Sequence, residues 1–190
     1  MSQSVLYMSM SLDGFIAGPE DVDGQGLGAG GEVLHAWLGL DDAGGFHPPG
    51  ASAAILDEAL ATGAVVVGRR TFDLAGRWNG DHHDGVPIFV PTRGEPPEPP
   101  SEHVHYITDG VESAMAQAKA AAGDKNVLVH GAELTQSLLR AGVLDEIQIH
   151  LIPILLGAGR RLFDGEQASL ELTRVVEAPG VTHLRYEVKS

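Results

Sequence analysis

The sequence contains no cysteine. That excludes a disulfide framework, a thiolate zinc site and a cysteine nucleophile. Basic residues are scarce: 12 Lys plus Arg stand against 26 Asp plus Glu, for a formal charge of −14. Such acidity argues against binding nucleic acid, whose phosphates call for a basic face. No apolar run approaches the length of a membrane span. The first residues, MSQSVLYMSMSLDGF, lack the basic start and apolar stretch of a secretion signal. The expectation is a cytoplasmic protein without membrane attachment. With 190 residues, 43% of them hydrophobic, one domain spanning 1–190 can bury about 70% of its unfolded surface.

Nine of the twelve basic residues are arginine, which favours planar, bidentate contacts over general surface charge. Two of them sit together in GAVVVGRRTFD, residues 63–73. The run Ala64–Val67 is apolar without alternation, as in a strand buried on both faces of an α/β sheet. A strand that ends in glycine and turns directly into a helix leaves free backbone N–H groups, and these make an anion site. Gly68, Arg69, Arg70 and Thr71 supply such a site; the competing reading pairs both arginines with Asp73, Asp81 or Asp84. VLVHGAELTQSLL, residues 127–139, repeats the construction at Gly131, and VPIFVPTRG, residues 86–94, ends another apolar strand at Thr92-Arg93. If these strands are parallel neighbours, one nucleotide can touch all three turns at the carboxyl edge of the sheet.

The remaining pattern is a first strand at Val5–Met10, short helices at Glu32–Leu40 and Ala53–Ala61, and a helix beginning at Thr71. Strands follow at Val86–Val90, Val104–Ile107 and Asn126–Val129. Asp109 and Glu112 form a capping-box pattern before a helix whose face carries Val111, Ala114, Met115 and Ala118. Leu134, Leu138 and Ala141 line the next helix, stopped by Gly142. Ile147, Ile149 and Leu151 alternate with Glu146, Gln148 and His150, so that strand reads as half polar. Leu170–Ala178 and Val181–Val188 flank Pro179-Gly180 as an antiparallel hairpin. The fold class is α/β, a mostly parallel sheet with an antiparallel C-terminal hairpin and helices on both faces. Gly26, Gly28 and Gly31 satisfy G-x-G-x-x-G, but no strand precedes them. Residues 18–31 are expected to be a mobile loop that closes over a ligand. The 91–102 stretch reads as a proline-rich loop. Asp81-His82-His83-Asp84 reads as a solvated loop rather than a metal site, and His103, His105, His150 and His183 as polar-face residues.

SMSLDGFIAGPED, GAVVVGRRTFD and GVLDEIQIHLIPILLGAGRRLFDG (142–165) together resemble the dihydrofolate reductase-like superfamily, and most closely the RibD C-terminal (riboflavin-biosynthesis reductase) domain and its stand-alone relatives. The resemblance implies a three-layer fold, NADPH as cofactor, a small heterocyclic or sugar-derived substrate and a homodimer. It assigns Gly68, Arg69, Arg70 and Thr71 to the adenosine end, and Thr92 and Arg93 to the 2′-phosphate. It assigns Gly131, Ala132, Glu133 and Leu134 to the diphosphate, with His130 where the family often has a second glycine. Ser9, Ile16 and Ala17 match the segment facing the nicotinamide. On the substrate side it implicates Asp13, Glu32, Trp37, Gly157 and Gly159; turn and helix-start roles for Asp13 and Glu32 compete with this. No catalytic acid stands out. The resulting expectation is an NADPH-dependent reductase, with a non-catalytic nicotinamide-nucleotide sensor as the alternative.

Overall fold

The computed structural model describes residues 2–22, 24–41, 45–94 and 101–189. Ten strands and four α-helices follow one another as β1 (Ser4–Ser11), β2 (Phe15–Ala17), α1 (Ala51–Leu60), β3 (Ala64–Val67), α2 (Arg69–Leu74), β4 (Ile88–Pro91), β5 (Val104–Ile107), α3 (Val111–Ala122), β6 (Val127–His130), α4 (Ala132–Ala141), β7 (Glu146–Ile152), β8 (Arg160–Arg161), β9 (Ser169–Ala178) and β10 (Val181–Lys189). Eight strands form one sheet in the order β5-β4-β3-β6-β1-β7-β10-β9. The first six of these run parallel, and β10 and β9 complete the sheet antiparallel. The expected parallel sheet with its C-terminal hairpin is therefore present.

Alternation along the strands decides which layer each residue joins. Ala64 and Val66 face α3 and α4, packing with Met115, Ala118, Leu134 and Leu138. Val65 and Val67 face the opposite layer, with Phe72 of α2 and Ala59 of α1. A 3₁₀ helix, Gly31–Leu38, covers the same side near β7 through Leu34 and Trp37. The sequence reading places a short helix there, at Glu32–Leu40.

Several local expectations give way. The Asp109–Glu112 capping box does not form: Gly110 caps α3 with φ 110 and no side-chain bond, while Asp109 accepts from Ser113 Oγ at 2.8 Å. The polar positions of β7 do not face solvent: Gln148 and His150 are both buried, His150 against Trp37 of the 3₁₀ helix and His183 of β10. β2 and β8, a two-stranded antiparallel ribbon, are too short to show a period. The 18–31 loop is bonded to itself, with Gly18 N donating to Leu27 O and Ala29 N to Pro19 O, both at 2.8 Å. Residues 95–100 of the proline-rich stretch lie outside the described residues.

Asp145 ties the two described ends of the chain together. Its carboxylate accepts from Ser4 N at 2.8 Å and from Lys119 Nζ at 2.5 Å, and its carbonyl accepts from Val188 N at 2.9 Å.

Candidate nucleotide cleft and its surroundings

The carboxyl ends of β3, β4, β5 and β6 lie side by side because those four strands are contiguous and parallel. Their turns line a cleft of about 380 Å³. All ten residues expected to hold the adenosine, 2′-phosphate and diphosphate meet there: Gly68, Arg69, Arg70, Thr71, Thr92, Arg93, Gly131, Ala132, Glu133 and Leu134. The structure adds a fourth turn, Ile107, Thr108, Gly110 and Val111, together with Arg160. That turn repeats the strand–glycine–helix pattern, which the capping-box reading of Asp109 obscured.

Helices α2, α3 and α4 all begin at this cleft, and none carries a side-chain cap. Their first N–H groups, with the helix dipoles, remain for an anion. Gly131 is fixed by geometry. Its φ is +103, and a Cβ there would stand 2.7 Å from Thr71 Oγ1. Arg69 is held by Asp73, Nε to Oδ2 at 2.6 Å, and lies 5.5 Å from the Tyr106 ring centroid. Arg93 is exposed at the rim. Arg69 thus makes the Asp73 pair of the competing reading, whereas Arg70 reaches Asp21.

His130 departs from the expectation. Its side chain turns away from the cleft, donating Nδ1–H to the Tyr7 carbonyl at 2.9 Å and stacking on His82 with centroids 5.2 Å apart. Burial pulls its pKa down to about 4. His82 packs at 4.4 Å on Trp78 and bonds His83 at 2.7 Å; burial and the neighbouring histidines lower it to about 2. The Asp81–Asp84 segment is thus anchored rather than solvated at its two histidines.

The substrate-side residues are scattered. Trp37 is 5% exposed and donates Nε1–H to Ser9 Oγ at 2.9 Å; it belongs to the core and lines none of the clefts described. Its ring packs against His150 and His183, with centroids 4.6 and 4.9 Å away. Those two histidines, placed on a polar face by the sequence reading, are buried and joined Nδ1 to Nδ1 at 2.8 Å, and His183 reaches Ser52 Oγ at 2.9 Å. Tyr7 Oη, His130 Nε2 and His150 Nε2 are enclosed with no hydrogen-bond partner among the described residues. Asp13 is a staple: it accepts from Ser11 Oγ at 2.6 Å, Gly157 N at 2.7 Å and Leu156 N at 3.1 Å. The Ser11 hydroxyl first, and then these amides, hold its carboxyl below the usual range. Glu32 is exposed on the 3₁₀ helix. Ile16 and Ala17 are buried. Gly159 lies so close to Ala17 that a Cβ would stand 2.0 Å from its carbonyl oxygen, and it lines a second cleft of about 560 Å³ beside the first.

A mostly parallel α/β sheet of this order, with strand–glycine–helix turns opening on one carboxyl-edge cleft, is the dihydrofolate reductase-like fold. The structure of a protein from Shewanella sp. PV-4 described as a putative riboflavin biosynthesis protein superposes with TM-score 0.74 at 22% identity, covering 100% of both chains. Dihydrofolate reductase from Enterococcus faecalis, solved with NADP(H), superposes with TM-score 0.61 at 13% identity, over 100% of this chain and 97% of that one. A diaminohydroxyphosphoribosylaminopyrimidine deaminase/5-amino-6-(5-phosphoribosylamino)uracil reductase from Thermotoga maritima gives TM-score 0.62 at 14% identity, over 99% of this chain and 57% of that one. The RibD C-terminal domain model matches residues 4–184. The chain belongs to the RibD C-terminal domain family. Among the described residues, no helix is long and apolar enough to cross a membrane.

Proposed function

We propose that the protein is an NADPH-dependent reductase acting on a small heterocyclic or sugar-derived molecule of the pterin or aminouracil kind. The observation that carries this reading is the cleft where four strand ends, three uncapped helix starts and Arg69, Arg70, Arg93 and Arg160 converge. Its chemistry suits a dinucleotide. Gly131 and the amides after it would take the diphosphate, Arg93 and Arg69 the 2′-phosphate, and the β1 end with Ser9 and Ala17 would border the nicotinamide. When bound, NADPH supplies the hydride that reduces a polarised C=N or C=O carbon.

The chain's own part is to bind, orient and exclude water. Asp13 holds residues 156–157 against the β1–β2 turn and so shapes the floor beside Gly159. Asp13 is committed to that staple, and Trp37 is buried. Proton delivery from ordered water is therefore the economical route. The same two facts favour a second reading, a nicotinamide-nucleotide sensor without turnover.

Titration of the full chain with NADPH and NADH tests the cofactor assignment. NADPH is expected to bind more tightly, and Arg93→Ala to weaken NADPH about tenfold while leaving NADH nearly unchanged. Equal losses would defeat the 2′-phosphate assignment. Oxidation of NADPH by pterin or aminouracil compounds then separates reductase from sensor. We also propose a cytoplasmic homodimer, for which Leu170, Leu172 and Val175, exposed on the edge strand β9, offer an apolar surface. Light scattering at twice the 19.9 kDa chain mass is the expected result.

A further inference from the structure

The two clefts are neighbours, and Ala132, Glu133 and Arg160 line both. Asp21 stands at their junction. Its carboxylate accepts from Arg70 Nη2 at 2.9 Å, Arg70 Nε at 3.2 Å and Arg160 Nε at 3.0 Å. Its carbonyl takes a further bond from Arg70 Nη2. Arg70 belongs to α2 and Arg160 to β8, so one carboxylate spans two walls of the groove. Although it lies in a surface loop, the Asp21 side chain is only 14% exposed.

The loop is built to keep it there. Glu20, immediately before, has φ +60, a conformation that costs a residue with a Cβ about 1–2 kcal/mol. The backbone bonds between Gly18 and Leu27 and between Ala29 and Pro19 close the loop around that bend. Burial alone would raise the Asp21 pKa, yet the two guanidinium groups outweigh it and hold the carboxyl below its ordinary value. The carboxylate stays ionised, in competition with other anions for the same donors.

We propose that Asp21 is an acidic bar across the groove, occupying the donors of Arg70 and Arg160 that would otherwise reach a diphosphate seated on the amides after Gly131, and that this contact sets the affinity for phosphate-bearing ligands. The proposal rests on reading the groove as a dinucleotide site. Opening the bar breaks charge-assisted bonds. A diphosphate restores negative charge to both arginines; a neutral nucleoside does not. The apparent dissociation constant is the intrinsic one divided by the fraction of molecules with the bar open, so the bar selects for a diphosphate at the expense of tightness.

The test is binding of NADPH and of inorganic pyrophosphate to the full chain, each at low ionic strength. Asp21→Asn is expected to bind both roughly tenfold more tightly than the parent chain. Glu20→Gln removes the same charge one residue away and leaves both arginine contacts in place; its gain is expected to stay under about twofold. In an Arg160→Gln background the gain from Asp21→Asn should shrink to about threefold. Asp21→Ser repeats the comparison if the amide disturbs the loop. Unchanged or weaker binding by folded Asp21→Asn overturns the bar, as does an equal gain from Glu20→Gln. Failure of the parent chain to bind NADPH overturns the dinucleotide reading instead; the pyrophosphate arm then decides the bar alone, and no binding of pyrophosphate by any variant overturns it too.

Discussion

His130 and Gly131 are consecutive, yet they belong to two different regions. Gly131 opens the cleft at the sheet edge, where arginines stay charged, face solvent and pair with carboxylates. His130 joins a band of rings laid across the sheet face: Trp78, His82, His130, Tyr7, His150, Trp37 and His183. There the titratable groups are kept neutral by burial. The edge holds charge ready for a ligand, and the band removes charge to make a core. The two respond to different perturbations because solvent screens one and not the other.

The largest effect should come from the band. Trp37→Ala removes a ring enclosed by Tyr7, His150 and His183 and leaves Ser9 Oγ without its donor. A loss of about 3–5 kcal/mol is expected by urea unfolding. A loss below about 1 kcal/mol would mean that the band is not a core.

Acid separates the regions next. His130 and His183 sit near a pKa of about 4, and His82 near about 2, against an ordinary 6.5. The unfolded chain therefore binds protons that the folded chain refuses as pH falls below 6.5. The stability these histidines contribute is complete above 6.5 and drains away down to about 4 for His130 and His183, and on toward about 2 for His82. The carboxylates of Asp13, Asp21 and Asp145 are depressed below 3.8, so their contribution is lost only as pH falls through and below that value. Unfolding free energy measured from pH 8 to pH 3 should decline in the upper window and steepen in the lower. A flat profile between 6.5 and 4.5 would contradict neutral burial of the rings.

Gly131→Ala sits at the boundary. Its positive φ and the approach to Thr71 Oγ1 predict a loss of about 1–3 kcal/mol in stability, besides weaker nucleotide binding. An affinity loss in a variant of unchanged stability would show the turn to be more pliable than its geometry. The smallest effect concerns residues 77–79, three consecutive left-handed residues that carry Trp78 toward His82. Asn79→Gly should change the melting temperature hardly at all, while Asn79→Ala should cost about 1 kcal/mol. Equal melting temperatures for the two would remove the strain argument.

The edge was readable because its signals are local. Gly68 and Gly131 each follow an apolar strand and precede a helix within a few residues, and parallel pairing then brings the turns together. The fourth turn at Gly110 carries the same signal, and Asp109 and Glu112 drew attention away from it. The band was not readable, since a histidine on an alternating strand looks polar until another element covers it. His150 and His183 are covered by Trp37 and by Ser52 of α1, contacts that cross more than a hundred residues. Asp21 was equally hidden: its partners lie 49 and 139 positions away, and an acidic glycine-rich loop suggested motion rather than an ion pair. Asp13, an Asp-Gly turn residue by sequence, proved to bind amides 143 and 144 residues downstream.

Asp145 gives the chain a seam. Because it bonds Ser4 on one side and Val188 on the other, the described ends sit at one place, and a short polar linker can splice residue 189 to residue 2. New termini can then be opened at the exposed Pro179-Gly180 turn between β9 and β10. Such a circular permutant keeps every strand pairing while making β1 and β10, which flank β7 in the sheet, neighbours in sequence. Because β10 begins beside the carboxyl end of β7, the new termini would lie on the same edge of the sheet as the cleft, and the splice at the opposite edge.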